Sequence, residues 1–318
     1  MQIDGTLIED TYAEAFTLRV ARLVITAATP RWAEIAARSM TGSATSIIGC
    51  GCEAGIEGPL PPATPDGRPG RRVLLLARSA ADLQEQLVRR VGQCVMPSAG
   101  SACYDELPSE ETVRLGSMLR FFGDGHQIAK QIDAGLLDIQ PGAHARRLWR
   151  IPVMDGEFVV DDRCGVRKGV AGGNFLILGT TAETTLAAAE RAVSAIAAVP
   201  GVILPFPGGI VRSGSKVGSR YRKLVASTNS PYCPTLRGLV PTALPEDVSA
   251  VLEIVIDGLS SAEVEAAMAA GIRAACGAGV VRIGAGNYGG RLGKHLFPLR
   301  RLLGGSASGG GAPTAPRG

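Results

Sequence analysis

V-L-E-I-V-I-D-G-L, Val251 to Leu259, reads as a strand, because β-branched and aliphatic residues fill it and Gly258 closes it. Side chains alternate faces along a strand, so Leu252, Ile254 and Ile256 share one face. Glu253 falls on the other face, between Val251 and Val255. A carboxylate in that setting is costly to bury unless it is paired, hydrogen-bonded or protonated. Burial would raise its pKa into the range useful to a general acid or base. The same pattern also fits a solvated face, or an acidic residue guarding a sheet edge.

Working outward from this strand, Ser260 and Glu263 form a capping-box pattern, and Val264, Ala267, Met268, Ile272 and Ala275 make a helical stripe. Val280–Ile283 then returns as a strand. The same order occurs upstream: a strand at Phe175–Leu178, Thr180 with Glu183 as caps, a stripe of Leu186, Val193, Ile196 and Ala197, and a strand at Val202–Leu204. The first half holds two more such units. One runs from a strand at Leu23–Thr26 through Thr29-Pro30 and the stripe Trp32, Ile35, Ala36 and Met40 to a strand at Thr45–Ile48. The other runs from Val73–Leu76 through Ser79, Asp82 and the stripe Leu83, Leu87 and Val91 to Cys94–Met96.

Two strand–helix–strand units interleave into one sheet with both helices on one face, the ferredoxin-like plan. The expected fold class is therefore α/β of the α+β kind: two ferredoxin-like split β-α-β sandwich lobes related by internal duplication. The expected division is an N-terminal lobe over 1–150, a C-terminal lobe over 151–303 and a flexible low-complexity tail over 304–318. I-P-V-M-D-G-E-F-V-V, opening the second half, predicts a hairpin around Asp155-Gly156. His126–Arg146 reads as a surface excursion.

At 318 residues, with 46% hydrophobic and 19% charged residues, the chain is long enough and apolar enough for two cores. A net charge of +4 and only 4% aromatic residues, with no Lys/Arg stripe interleaved with Phe or Tyr, argue against a nucleic-acid role. The N-terminus is acidic and unlike a signal peptide, and no run approaches the ~18 apolar residues of a membrane span, so a cytoplasmic location is expected. Seven cysteines without a pairing pattern fit reduced thiols, and neither they nor the three histidines complete a metal set.

Gly49, Gly51 and Ala54, and again Gly284, Gly286 and Gly289, imitate a dinucleotide fingerprint, but neither opens a helix. S-G-S-K-V-G-S at Ser213–Ser219 offers backbone donors and Lys216, in the wrong order for a Walker A motif. It fits an anion site and an ordinary basic loop equally well. The informative feature is the density of polar Gly/Pro-rich loops after strand ends: P-F-P-G-G-I-V, S-K-V-G-S, A-S-T-N, Y-C-P-T and A-G-N-Y-G-G. Such loops on a rigid double sandwich are where a large polar ligand would bind.

These loops, with Asp10–Phe16, Thr64–Gly70, Gly92–Met96, Phe121–Gly125, Val170–Phe175 and Glu253–Leu259, carry a resemblance over nearly the whole chain. The chain resembles formylmethanofuran:tetrahydromethanopterin formyltransferase, in its methylotrophic bacterial branch. The resemblance implies two ferredoxin-like lobes, a homotetramer, no metal or prosthetic group, and methanofuran and tetrahydromethanopterin as carrier substrates. It also implies partnership with the other members of a formyltransferase/hydrolase complex that releases formate. It assigns proton handling to Glu253. It places carrier and oxyanion contacts at Gly172, Gly173, Asn174, Gly208, Gly209, Ser215, Lys216, Thr228, Asn229, Tyr232, Cys233 and Asn287. The basic, Arg/Ala-rich composition and the length of 126–146 depart from the acidic archaeal members. A catalytically silent scaffold or carrier-binding subunit, or a regulatory ligand-binding module, is the competing expectation.

Overall fold

A computed structural model of the chain describes residues 1–304 except Pro62, 133–145, Ser215 and Val225. The chain forms two compact units, one of Leu18–Gly169 and one of Met1–Thr17 together with the residues from Val170 onward.

In the Leu18–Gly169 unit, the strands Cys52–Ile56, Gly70–Ala77, the second part of Tyr12–Thr26, and Ala102–Asp105 lie side by side in that order. In chain order this is the 2-3-1-4 arrangement of a ferredoxin-like sheet, with every pair antiparallel. The helices Pro30–Thr41 and Ala80–Arg90 each follow a strand, and both pack on one face through Ala36, Ala37, Met40, Leu83 and Leu87. The hairpin Arg146–Val153 and Gly156–Asp161 turns at Asp155-Gly156 as expected, and extends the sheet by pairing with Ala102–Asp105.

The second unit repeats the plan. Val202–Ile203, Ala250–Gly258, Arg167–Gly179 and Val280–Gly284 lie in that order, again 2-3-1-4 and antiparallel. The helices Ala182–Ile196 and Ser261–Ala275 cover one face through Ala188, Ala192, Ile196, Val264, Met268 and Ile272, against Phe175, Ile177, Ile254 and Ile256. Thr6–Ile8 adds a parallel strand beside Val280–Gly284, and Gln2–Ile3 pairs beyond it. Each lobe is thus the α+β sandwich expected from the duplicated pattern.

Local departures have local causes. Of the expected strand Thr45–Ile48 only Thr45–Ser46 is extended, pairing with Cys52–Ile56, which is the strand that enters the sheet; Ser46 caps a short helix, Ile47–Cys50, that ends on left-handed Gly51. Cys94–Met96 is not a strand either: the helix Ala80–Arg90 runs on into a π-helical turn at Val91–Val95, and the strand begins at Ala102. Thr181 rather than Thr180 caps the Ala182–Ile196 helix, with Thr184 completing the box. Leu186, placed on the buried stripe by spacing, is exposed, and small residues take the contact instead.

The compact units also differ from a division after residue 150. The hairpin strand Gly156–Asp161 pairs with Ala102–Asp105, and Thr6–Ile8 with Val280–Gly284, so hydrogen bonding ties each to the other half of the sequence. The expected tail lies outside the described residues beyond Gly304, as do 133–145 of the expected excursion. Ile128–Ile132 of that excursion is a strand paired with Arg146–Val153.

Candidate active site

Register brings two polar loops of the second unit to one row of the sheet. On Arg167–Gly179, Leu176 pairs on one side with Glu253 and on the other with Gly284. Beyond Glu253 the sheet row continues to Val211, whose N–H and C=O exchange two backbone hydrogen bonds of 2.8 Å with those of Glu253. P-F-P-G-G-I-V therefore leaves the sheet after Val202–Ile203 and returns to it opposite Glu253. The 285–293 loop leaves from the far end of the same row, and Gly172–Asn174 lie on the strand between.

The alternation read from the sequence holds. Ile254 and Ile256 are fully buried under the helices, while Glu253 projects from the opposite face. That face also carries Leu176 and Leu178, which pack with Leu244, Val248 and the ring of Tyr232. Glu253 is half-buried, and no hydrogen-bond or ion-pair partner to its carboxyl is present among the described residues. Burial alone pushes its pKa up to about 7. A carboxyl so placed is partly protonated at neutral pH and able both to give and to take a proton.

A second acidic residue has the opposite environment. Glu14, in the first part of Tyr12–Thr26, is buried, and its carboxylate accepts backbone N–H bonds from Tyr288 (2.7 Å), Gly290 (2.9 Å), Leu292 (2.6 Å) and Gly293 (2.5 Å). Burial raises its pKa, but these four donors outweigh burial and hold Glu14 below the usual carboxylate range. Asn174 ties down the start of the same loop: its Nδ2 donates to Gly172 O and Gly286 O, and Gly286 N–H donates to its Oδ1 at 2.6 Å. Tyr288 thus sits on a turn anchored at both ends, its ring 6.2 Å from that of Phe16. Burial raises the Tyr288 phenol, and the nearby Glu253 and Glu14 carboxylates raise it further, so it is a neutral O–H donor.

The structure sorts the other expected site residues by what they touch. Gly172 is left-handed (φ 91°) at a bulge of the strand, its N–H on Asp257 Oδ1 at 2.9 Å, and a Cβ there would meet the Phe16 ring. Gly173 faces the helices: a Cβ would lie 2.4 Å from Val264 Cγ1. Gly209 is a packing glycine against Leu204 and Val193, whereas left-handed Gly208 borders open space.

Lys216 lies on a two-stranded ladder with Ala226–Ser227, and its Nζ donates to Ser230 Oγ at 2.8 Å. Thr228 Oγ donates to Ser213 O, and Cys233 Sγ to Asn229 O. Tyr232 packs on the Glu253 face of the sheet; burial raises its phenol, as does Glu9, which is paired with Arg282. Asn287 is exposed, with Nδ2 on Thr11 Oγ1 and Tyr12 O. Ser215 lies outside the described residues.

Sequence reasoning did not single out Glu14 or Tyr288. Glu14 carries the same signal as Glu253, a carboxylate inside an apolar strand, Y-A-E-A-F. Tyr288 lies in the A-G-N-Y-G-G loop, but nothing in that motif marks its phenol, because its position depends on a loop closed by a residue from the other end of the chain.

A ferredoxin-like sheet that holds a half-buried carboxyl, partnerless among the described residues and in register with polar loops on both sides, has the chemistry that a group-transfer enzyme with large polar substrates requires. Comparison makes this specific. The family profile described as formylmethanofuran-tetrahydromethanopterin formyltransferase matches residues 1–153, and its proximal-lobe profile matches 156–302. The formylmethanofuran–tetrahydromethanopterin formyltransferase of Methylococcus capsulatus is 52% identical over 308 residues, covering 95% of this chain and all of that one. A component of the formyltransferase/hydrolase complex of Methylorubrum extorquens is 50% identical, covering 95% of this chain and 97% of that one.

The crystal structure of the M. extorquens formyltransferase/hydrolase complex with methylofuran superposes with a TM-score of 0.90 at 49% identity, covering 95% of this chain and 98% of the matched one. The Methanosarcina barkeri formyltransferase superposes at 0.86 and 46% identity, covering 95% and 100%. The chain belongs to the formylmethanofuran–tetrahydromethanopterin formyltransferase family and is a formyltransferase.

Proposed function

We propose that the chain moves a formyl group between the amine of methanofuran and a ring nitrogen of tetrahydromethanopterin, with Glu253 as the proton-handling group. The reaction is an amide exchange. The accepting nitrogen attacks the formyl carbon, the carbonyl π pair moves onto oxygen, and the tetrahedral intermediate collapses with cleavage of the original C–N bond. The incoming nitrogen must lose a proton and the departing one must gain it. A single carboxyl with a pKa near the working pH serves both transfers. The observation carrying this reading is Glu253 itself: partnerless among the described residues, half-buried, and in register with the loops on both sides.

Carrier contacts fall to the Gly208 turn, to Lys216, Thr228, Asn229, Tyr232 and Cys233 on the 213–233 loops, and to Asn287 and Ser215. Gly172, Gly173, Gly209 and Asn174 shape or hold those surfaces through backbone conformation, packing and hydrogen bonds. Lys216 is assigned to an anionic portion of a carrier. Lys216→Ala is accordingly expected to raise KM for one carrier by about tenfold with kcat changed less than about twofold, since binding remote from the reacting atoms is lost equally in ground and transition states. Steady-state kinetics with each carrier varied in turn checks this.

The relation to a component of a formyltransferase/hydrolase complex supports formyl flow from the pterin to methanofuran, with hydrolase partners releasing formate. A homotetramer is the assembly proposed for the isolated chain. Among the described residues no helix is long and apolar enough to cross a membrane, and a cytoplasmic site of action is proposed with the rest. The test is a formyl-transfer assay of the purified chain with formylmethanofuran and tetrahydromethanopterin, followed by formyl-pterin absorbance. Turnover is expected. Silence both alone and with hydrolase partners added would overturn the reading in favour of a scaffold.

A further inference from the structure

We propose that Glu14 is a positioning residue of the formyl-transfer site, and that the group it positions is the phenol of Tyr288, on the loop that leaves the sheet from the Glu253–Leu176–Gly284 row. The inference rests on the reading of Glu253 given above. Glu14 is a buried carboxylate whose charge is balanced by four backbone N–H donors from one turn, 288–293. Donors at 2.5–2.9 Å from a charged acceptor are the strong kind, and four on one side chain fix the turn's path.

Close packing at the end of the turn depends on a glycine. A Cβ on Gly293 would lie 2.5 Å from Ala15 O and 2.7 Å from Glu14 Cγ, so only glycine lets the chain pass this close to the carboxylate. The other end of the loop is held by Asn174, two residue pairs from the Glu253 row of the sheet. Between these clamps Tyr288 is half-buried against Phe16 and within electrostatic reach of both glutamates. The structure therefore uses one ionised glutamate to hold a neutral O–H donor near the other, protonatable one. A hydrogen-bond donor held there without reorganisation is what a developing oxyanion or a protonating carboxyl needs.

The test uses the full chain in the formyl-transfer assay. Tyr288→Phe keeps the ring and removes the O–H; Glu14→Gln keeps the side-chain volume but removes the charge and one acceptor. Each is expected to lower kcat about 10- to 100-fold with KM changed less than about threefold. Glu14→Gln added to Tyr288→Phe is expected to cost less than about twofold more, because the first acts through the second. The kcat–pH limb near 7 should shift in Glu14→Gln as it does in Tyr288→Phe, because a loosened turn no longer holds the phenol that interacts with Glu253.

A Glu14 that merely supports folding would lower the melting temperature while leaving kcat and the pH limb of the folded enzyme unchanged; that result, or full multiplicative losses in the double variant, overturns the proposal. If Glu14→Gln does not fold, wild-type kcat in Tyr288→Phe overturns it. Glu253→Gln run alongside separates the two readings. Wild-type turnover there removes the Glu253 assignment, whereas its loss beside unaffected Tyr288→Phe and Glu14→Gln removes only the positioning role.

Discussion

Glu253→Gln is expected to lower kcat by about 10²- to 10⁴-fold with little change in KM, the range lost when a positioned acid–base group is removed. Gln keeps the shape of the protonated side chain, so the strand and its 2.8 Å backbone bonds to Val211 remain. What disappears is the ability to pass a proton. The wild-type kcat profile should bend near pH 7, where Glu253 titrates, and the variant's residual rate should lose that bend.

The same substitution is expected to affect stability in the opposite direction. The pKa of Glu253 is raised by burial from 4.5 to about 7, so between these values the folded state binds more protons than the unfolded one. Stability contributed at this position is therefore complete below about pH 4.5 and falls as pH rises through 7, by at most a few kcal/mol. Denaturant midpoints of wild type and Glu253→Gln should lie close together at pH 4.5, with the variant more stable at pH 8. Equal midpoints at pH 8, with kcat unaffected, would remove both the buried carboxyl and its role. A site residue held at the expense of stability is where activity and stability are expected to trade against one another.

Both this carboxyl and its sheet were legible in the sequence because each depends on local order. Alternation in Val251–Leu259 fixed the face of Glu253, and the caps Ser79 and Ser260 marked where helices begin, with side-chain oxygens on Asp82 N and Ala262 N. The four strand–helix–strand units then left little choice of topology. What escaped was decided by competition or by distance along the chain. Thr45–Ile48 has strand-like composition and is a strand at Thr45–Ser46, but Ser46 as a cap and Gly51 in a left-handed turn make a helix the better local solution from Ile47 on. Cys94–Met96 continues a helix because Val91 and Val95 are buried in its core.

Glu14 and Tyr288 are far apart in sequence, and neither has a neighbour that signals the other; only the turn of backbone amides over Glu14 joins them. Asn174 reads from the resemblance as a carrier contact, whereas its amide groups are occupied by Gly172 and Gly286.

Gly173 shows the same difference between recognising a residue and knowing what it does, and its replacement has the second large expected effect. Gly172-Gly173 reads as a backbone surface for a substrate, yet only Gly172 turns away from the core. An alanine Cβ at 173 would lie 2.4 Å from Val264 Cγ1, 3.3 Å from Ile256 O and 3.4 Å from Met268 Sδ, all of them beneath the Ser261–Ala275 helix or on the strand it covers. The carbonyl of Ile256 belongs to a sheet strand and cannot retreat without breaking pairing, so the helix must lift or Val264 must leave its rotamer. Gly173→Ala is expected to cost about 1–3 kcal/mol, the usual range for overpacking, read as a lower denaturant midpoint.

KM for either carrier should change less than about twofold, because the side chain grows towards the helix and away from the Glu253 face. Val264→Ala destabilises alone by opening space but removes the atom in closest conflict. In the double variant the two losses should therefore partly cancel, giving a coupling of about 1 kcal/mol. If Gly173→Ala kept the wild-type midpoint and raised KM severalfold, Gly173 would belong to the carrier surface, and the packing of this helix on the sheet would have to be relaxed enough to accept a methyl group. If stability falls and KM holds, the glycine pair divides its work: one residue bends the strand around Phe16, and the other lets the helix close on the sheet that presents Glu253.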